Sequence, residues 1–365
     1  MKIKQIPEDF RVEEKYKVKF GGQRYAIFIL EKRKWTTTKA IEMISKKMRV
    51  SINRFNVAGQ KDRQGITRQC VSCMDVGKGD VEYVRLKDMK LEFQGYSDFP
   101  IQLGGLEGNK FIITIREIKE SLEKVDYVPN YFDNQRFGDF RPVLHLVGKE
   151  ILLGNYERAV KLFLLYPFEK ETRDYKEARE EMEKNFGDWF TMDLPKSFVN
   201  EKKIVDYLEK NPEDYKGALK NLPRNLFSMT TQAYQSYLFN VSLSRYLERF
   251  DCRKVKYCLG ELNFCKEHLD MKWPLIGYES QLDGEVKEIY EKLMKEEGIT
   301  YETFNCEIPK LASKGIERDM FVKVQDLKLG KLKNNELGKD KKQEVSFFLG
   351  KGSYATMVLK GMEND

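Results

Sequence analysis

One carboxylate stands between two cations on a glycine-bounded turn in Ala58-Gly59-Gln60-Lys61-Asp62-Arg63-Gln64-Gly65-Ile66-Thr67-Arg68-Gln69, and a hydrophobic strand, 66–74, follows it. Neighbouring positive charge holds such an aspartate ionised at neutral pH, ready to act as nucleophile or base beside a polyanionic substrate. Three further segments carry chemistry of a matching kind. Pro7-Glu8-Asp9-Phe10 has Lys4 upstream and also reads as a capped turn with a core phenylalanine. Residues 128–138, with Asn130-Tyr131-Phe132 and Gln135-Arg136-Phe137, pack amides and aromatics closely enough to stack a base and read its edge. The same residues would also serve as a packed loop between domains. Phe347-Phe348-Leu349-Gly350-Lys351-Gly352-Ser353-Tyr354-Ala355-Thr356 reads as a hairpin whose aromatics partly fill a core.

The rest of the sequence removes other chemistries. There is no G-x-x-x-x-G-K-[ST] phosphate loop and no G-x-G-x-x-G after a strand. His145 and His268, the two histidines, stand in unrelated contexts, which leaves little room for a Ser/His/Asp triad or for the zinc-deaminase pair. The six cysteines read as reduced thiols rather than a disulfide framework. Cys70 and Cys73 lie inside one strand and would point to opposite faces, a poor metal or redox pair. Cys252, Cys258, Cys265 and His268 have loosely ligand-like spacing but lack paired knuckles, so no metal and no cofactor are expected. The net charge of +7, from 65 Lys and Arg against 58 Asp and Glu, suits one basic cleft on an otherwise mixed surface. No apolar run approaches a bilayer's thickness and no secretory h-region opens the chain, so the expected location is the cytoplasm.

Around these residues the elements fall into three blocks. Residues 1–147 read as mixed α/β with antiparallel character: strands at 23–30, 66–74, 80–86 and 110–118, and a helix after Thr36 with Ala40, Ile41, Ile44 and Met48 inward. Residues 148–310 read as mainly helical, with helices at 155–165, 176–185, 203–210 and 231–250. The end returns to β at 320–328, 344–349 and 353–360, with 331–342 as a mobile solvated loop. A helical block bracketed by two α/β segments predicts one domain inserted in another: 1–147 and 311–365 outside, 148–310 inside.

The four motifs, in this order, resemble the TruD family of tRNA pseudouridine synthases, of the archaeal type, over nearly the whole chain. The resemblance implies an α+β fold with a mixed, largely antiparallel sheet core and an inserted, mainly helical family-specific domain. The Thr231–Asn240 run belongs to that insertion. It further implies isomerisation of uridine to pseudouridine in tRNA, at uridine 13, by base flipping. Asp62 would be the catalytic aspartate, and no cofactor, metal, membrane or protein partner is implied. Asn130 would contact the target nucleotide and Phe132 would stack near the flipped base, with Phe10 and Tyr354 lining the same pocket. Lys4 and Lys61 are the basic neighbours able to pair with the catalytic carboxylate. Asp139–His145 departs from the family pattern, which bears on RNA docking, and Leu349-Gly350 replaces a common Leu-Pro. The contrasting reading is a non-catalytic RNA-binding or RNA-chaperone protein on the same scaffold, or the same chemistry at another RNA site.

Overall fold

Strand Tyr25–Arg33 (β2) shows why the first half of the chain folds as it does. Its alternate residues Ala26, Phe28 and Leu30 join one core cluster, and Ile27 joins another on the opposite face. A strand buried on both sides needs cover on both sides. Helix Thr37–Met48 (α1) covers the first face with Ala40, Ile41 and Ile44, capped by the Thr36 hydroxyl, which accepts the Lys39 amide at 3.2 Å.

The computed structural model describes residues 1–138, 141–168, 171–191 and 194–363. Asp139 and Phe140, at the head of the segment that departs from the family pattern, lie outside the described residues. The chain divides into two compact units, residues 1–128 with 322–365 and residues 129–321.

The first unit is built on a nine-stranded sheet. With Phe10–Lys15 (β1), Phe55–Val57 (β3), Ile66–Met74 (β4), Met89–Ser97 (β5) and Gly108–Ile118 (β6), its order is Gln325–Leu329, Lys341–Gly350, β6, β1, β4, β2, β5. Strand β3 pairs with β4, and Lys333–Asn334 pairs with Lys341–Gly350. Among the described residues of this sheet only β1 and β4 run parallel, matching Arg11 to Ile66, Val12 to Thr67 and Glu13 to Arg68. Beyond Glu13 the two strands part, and the fully buried Glu14 carboxylate fills the gap, accepting the Cys70 amide at 3.2 Å. The fold is therefore α+β with a largely antiparallel sheet, as the sequence implies. Cys70 and Cys73 do face opposite clusters, and burial pushes their thiols up to about 12 and about 11.

Four local expectations are corrected. Residues 80–86 are not a strand: Lys78–Tyr83 is a helix (α2), because the Asp80 carboxylate turns back to accept the Gly77 amide at 2.7 Å. Residues 353–360 do not return as a strand either. Ala355, Val358, Leu359 and Met362 recur at helical spacing and are the buried face of helix Ala355–Met362. Residues 331–342 form a pinned hairpin rather than a loose loop. Asn335 is buried there and accepts from the Arg116 guanidinium at 2.8 Å, while Arg116 also chelates buried Asp9. Finally, not all the cysteines are reduced thiols. Cys252 and Cys265 sit opposite each other in a hairpin, Cα atoms 4.1 Å apart, and form a disulfide.

The second unit is mainly helical. Its axis is helix Arg224–Leu247, buried on several sides and packed by helices Leu144–Leu152 and Gly284–Glu297. Gly148 lets the first of these approach closely, since a Cβ there would lie 2.1 Å from the Thr230 carbonyl oxygen. Hairpin Cys252–Tyr257/Gly260–Cys265 and the pair Lys272–Leu275/Ile316–Asp319 complete the unit. No helix among the described residues is long and apolar enough to cross a membrane.

Candidate active site

Asp62 lies on the loop between β3 and β4, and that loop is held from several directions. Lys32 continues the inward face of β2 past Leu30 and is only 1% exposed. Its ammonium donates to the carbonyls of Trp35 at 2.6 Å, Asp62 at 3.0 Å and Lys61 at 3.3 Å. Three N–H groups meeting three carbonyls satisfy a buried cation without a directly paired carboxylate. Burial, helped by the nearby Lys61 charge, pulls Lys32 down to about 8, against the opposing pull of Asp62. On the other side Thr37 accepts the Lys61 amide at 2.9 Å and donates to Gln69 at 2.8 Å. Gln69 in turn donates to the Gly59 carbonyl at 3.1 Å. Gly65 closes the loop against β1, where a Cβ would stand 2.4 Å from the Phe10 carbonyl oxygen.

The Asp62 side chain is held from both of its oxygens. Oδ1 accepts the Gln64 amide at 3.1 Å, and Oδ2 receives the Lys4 ammonium in an ion pair. Burial raises the Asp62 pKa, but the Lys4 charge and hydrogen bond, joined by the Gln64 and Arg63 amides, outweigh it and leave the carboxyl below its usual value. Lys4 reaches this position from a left-handed backbone, φ 59°, with its ammonium 4.3 Å from the centre of the Phe10 ring. Non-glycine residues seldom adopt that conformation, and those that do cluster at functional sites. The Asp62 side chain keeps 23% of its surface exposed, so the ionised group stays reachable.

The structure thus brings Asp62, Lys4 and Phe10 together. Lys61 does not add its charge to them directly: its ammonium pairs at 2.5 Å with buried Glu14. Arg63 is exposed. Tyr354 is half-buried at the N-cap of the last helix, where its carbonyl accepts the Met357 amide at 3.1 Å.

Asn130 and Phe132 belong to the second unit, and both are buried. The Asn130 side chain donates to the Asp319 carbonyl at 3.0 Å and accepts from Arg318 at 2.5 Å. The Arg318 guanidinium lies 4.3 Å from the centre of the Phe132 ring. Asn240, at the end of the Thr231–Asn240 run, clamps the Phe132 backbone through both halves of its amide, at 2.9 and 2.8 Å. Lys32, Thr37 and Arg318 were not legible as site residues. For Lys32 a signal existed, a lysine in register with the inward Phe28 and Leu30; for Arg318 no motif surrounds the position. Among the described residues no three His, Cys, Asp or Glu side chains gather as a metal site.

Comparison with known proteins identifies the family and the fold. The family described as tRNA pseudouridine synthase D (TruD) matches residues 1–257 and 261–362. A Methanosarcina acetivorans protein named "Probable tRNA pseudouridine synthase D" is 34% identical, the match covering 98% of this chain and 91% of that one. A Methanocaldococcus jannaschii protein named "Probable tRNA pseudouridine synthase D 2" is 35% identical over 99% of this chain and 91% of its own. A Methanosarcina mazei chain crystallised as a TruD structural-genomics target superposes with a TM-score of 0.75 at 33% identity, covering 99% of this chain and 92% of that one.

Proposed function

Because the chain belongs to the TruD family of tRNA pseudouridine synthases, we propose that it converts uridine 13 of tRNA to pseudouridine with Asp62 as its catalytic carboxylate. The observation that carries this reading is the state of Asp62: ionised by Lys4, held at both oxygens, and mounted on a loop tied down by Lys32, Thr37 and Gln69.

A uridine stacked in an RNA stem must leave the stack before any side chain reaches its sugar, at a cost of roughly a few kcal/mol. Stacking on an aromatic ring offsets about 1–3 kcal/mol of this; Phe132 is assigned that role, and Asn130, Phe10 and Tyr354 are assigned to nucleotide binding. Asp62 then acts at the ribose. It attacks C1′ and displaces N1, or it takes a sugar proton so that the N1–C1′ bond breaks to a glycal. Either entry requires the carboxylate form. The freed uracil turns and C5 bonds to C1′, either as the Asp62–C1′ bond breaks and frees the carboxylate or as Asp62 returns the sugar proton to C2′ of the glycal; the C5 proton then leaves and N1 takes one up. Substrate and product are isomers, so the balance closes without a co-substrate.

The test is pseudouridine mapping on unmodified tRNA transcripts with wild-type protein and Asp62→Asn in parallel. Wild type should produce one new pseudouridine, at position 13, and Asp62→Asn none. The variant's tRNA affinity should stay within roughly several-fold, since the change is isosteric and removes one negative charge near phosphates. Joint loss of binding and product would make Asp62 structural. Binding without product in the wild type would favour the RNA-binding scaffold instead.

A further inference from the structure

The cations around Asp62 divide into two kinds. Lys4, Lys32 and Lys61 are committed inside the protein, to the Asp62 carboxylate, to three carbonyls and to buried Glu14. Arg63 and Lys34 are not. Both are exposed, and among the described residues neither side chain makes a hydrogen bond or an ion pair. Backbone contacts hold them at the two ends of one short segment. Arg63 follows Asp62 directly, and its amide, with that of Gln64, supports the Asp62 carboxylate. Lys34, two residues beyond Lys32, donates its own amide to the Gly65 carbonyl at 3.4 Å. It does so from a left-handed backbone, φ 61°, in the turn between β2 and α1. The acids beside Arg33 offer these cations little, because Glu8 and Asp88 already pair with Arg33, at 3.0 and 3.9 Å. Lys4 meets the charge of Asp62, so the edge of the loop keeps an excess of positive charge toward solvent.

A nucleotide that offers C1′ to Asp62 carries a phosphate on either side of the same sugar. Unscreened, those phosphates would repel the carboxylate and raise its pKa, against the ionised form the reaction uses. We propose that Arg63 and Lys34 bind the two phosphates flanking the reacting uridine, one each, and so set its sugar against Asp62. This deepens the reading of Asp62 as the catalytic carboxylate and rests on it. The Arg63 guanidinium is permanently charged, with parallel N–H donors that match phosphate oxygens, and Lys34 supplies a point charge on a flexible stem. Contacts of this kind hold the RNA by its backbone and read no base.

The test pairs protein variants with a change in the substrate. Transfer RNA is ligated with one uncharged methylphosphonate linkage, 5′ or 3′ of the uridine that wild type converts, and kcat/KM for pseudouridine formation is measured. Arg63→Gln and Lys34→Asn remove the charges; asparagine is chosen because it tolerates the left-handed backbone. Lys287→Gln, on the exposed side of helix Gly284–Glu297, is the control. On ordinary tRNA each of the two variants should lose about tenfold and the control nothing. One neutral linkage should cost wild type about tenfold and Arg63→Gln nothing further, and the other should do the same for Lys34→Asn. Losses that multiply at both linkages, or variants as active as wild type, would overturn the assignment. An active wild type beside an inert Asp62→Asn would then spare the catalytic reading. If the acid limb of kcat/KM moved in Arg63→Gln as far as in Lys4→Met, Arg63 would be a second counterion of Asp62 and not a phosphate ligand. A wild type that converts no uridine in tRNA would remove the premise and the phosphate contacts with it.

Discussion

Asp62 takes its charge environment from Lys4, 58 residues upstream, more than from the cations beside it in sequence. This gives a directional prediction for the acid limb of activity. In Lys4→Met the upward push of burial is left unopposed by its main counterweight, so the Asp62 pKa should climb. The acid limb of kcat/KM should move to higher pH by the same amount, and Lys4→Arg should restore much of it; an unmoved limb would mean Lys4 only packs against Phe10. Lys32 governs the opposite limb. Its value of about 8 lies below the usual 10.5, so across that window the folded protein holds fewer protons than the unfolded chain. Stability contributed by this group therefore rises with pH between the two values, by on the order of 1–3 kcal/mol. Activity should run the other way. Neutral Lys32 has two N–H donors for three carbonyls, which loosens the Asp62 loop above about pH 8. Denaturant midpoints and rate profiles from pH 7 to 10 would separate these effects. Lys32→Met should lose both the stability gain and the limb near pH 8.

At the scale of elements, the site depends on β1 and β4 lying side by side. Gly65→Ala places a Cβ against the Phe10 carbonyl and should destabilise the protein by about 1–3 kcal/mol, read from the urea midpoint. Because Gly65 closes the Asp62 loop, pseudouridine formation should fall further than stability does, by about 100-fold for a shift near 1 Å. A wild-type midpoint and rate would show that β1 yields freely. Much of this geometry is legible in the sequence. The 66–74 strand follows to the residue from its pattern, the Thr36 cap and the inward face of its helix follow from spacing, and the Lys-Asp-Arg turn marks the carboxylate. What stays hidden depends on contacts between distant segments. Nothing local says that Lys61 turns to Glu14, that Lys32 ends beneath the loop, or that Arg116 pins residues 331–342. Residues 80–86 and 353–360 differ from expectation for another reason. There, short stretches fitted a strand, and a capping aspartate in one case and an i, i+3, i+4, i+7 stripe in the other decided for helix.

For the whole molecule, the order of the chain matters more than its composition. The first unit is discontinuous, and residues 322–365 supply three strands of its sheet and its last helix. The second is continuous, and its two ends meet: the Asn130 amide donates to the Met320 carbonyl at 2.8 Å. Within the first unit the break is equally narrow, the Val324 amide donating to the Asp126 carbonyl at 2.8 Å. Domains inserted through adjacent ends can often be excised without unfolding. The fragment 129–321 should therefore be soluble, helix-rich by circular dichroism and cooperative in thermal melting. It should form no pseudouridine, since it lacks Asp62. Chain 1–321 should fail differently. With Gln325–Leu329 and Lys341–Gly350 missing, β6 would present an open hydrophobic edge, and such edges pair with other chains. It should aggregate, yet limited proteolysis should still release a protected piece near 129–321. A fragment 129–321 without a cooperative melt would show instead that the helical unit needs the sheet to fold, and that the division at 128 and 321 marks contact density rather than independence.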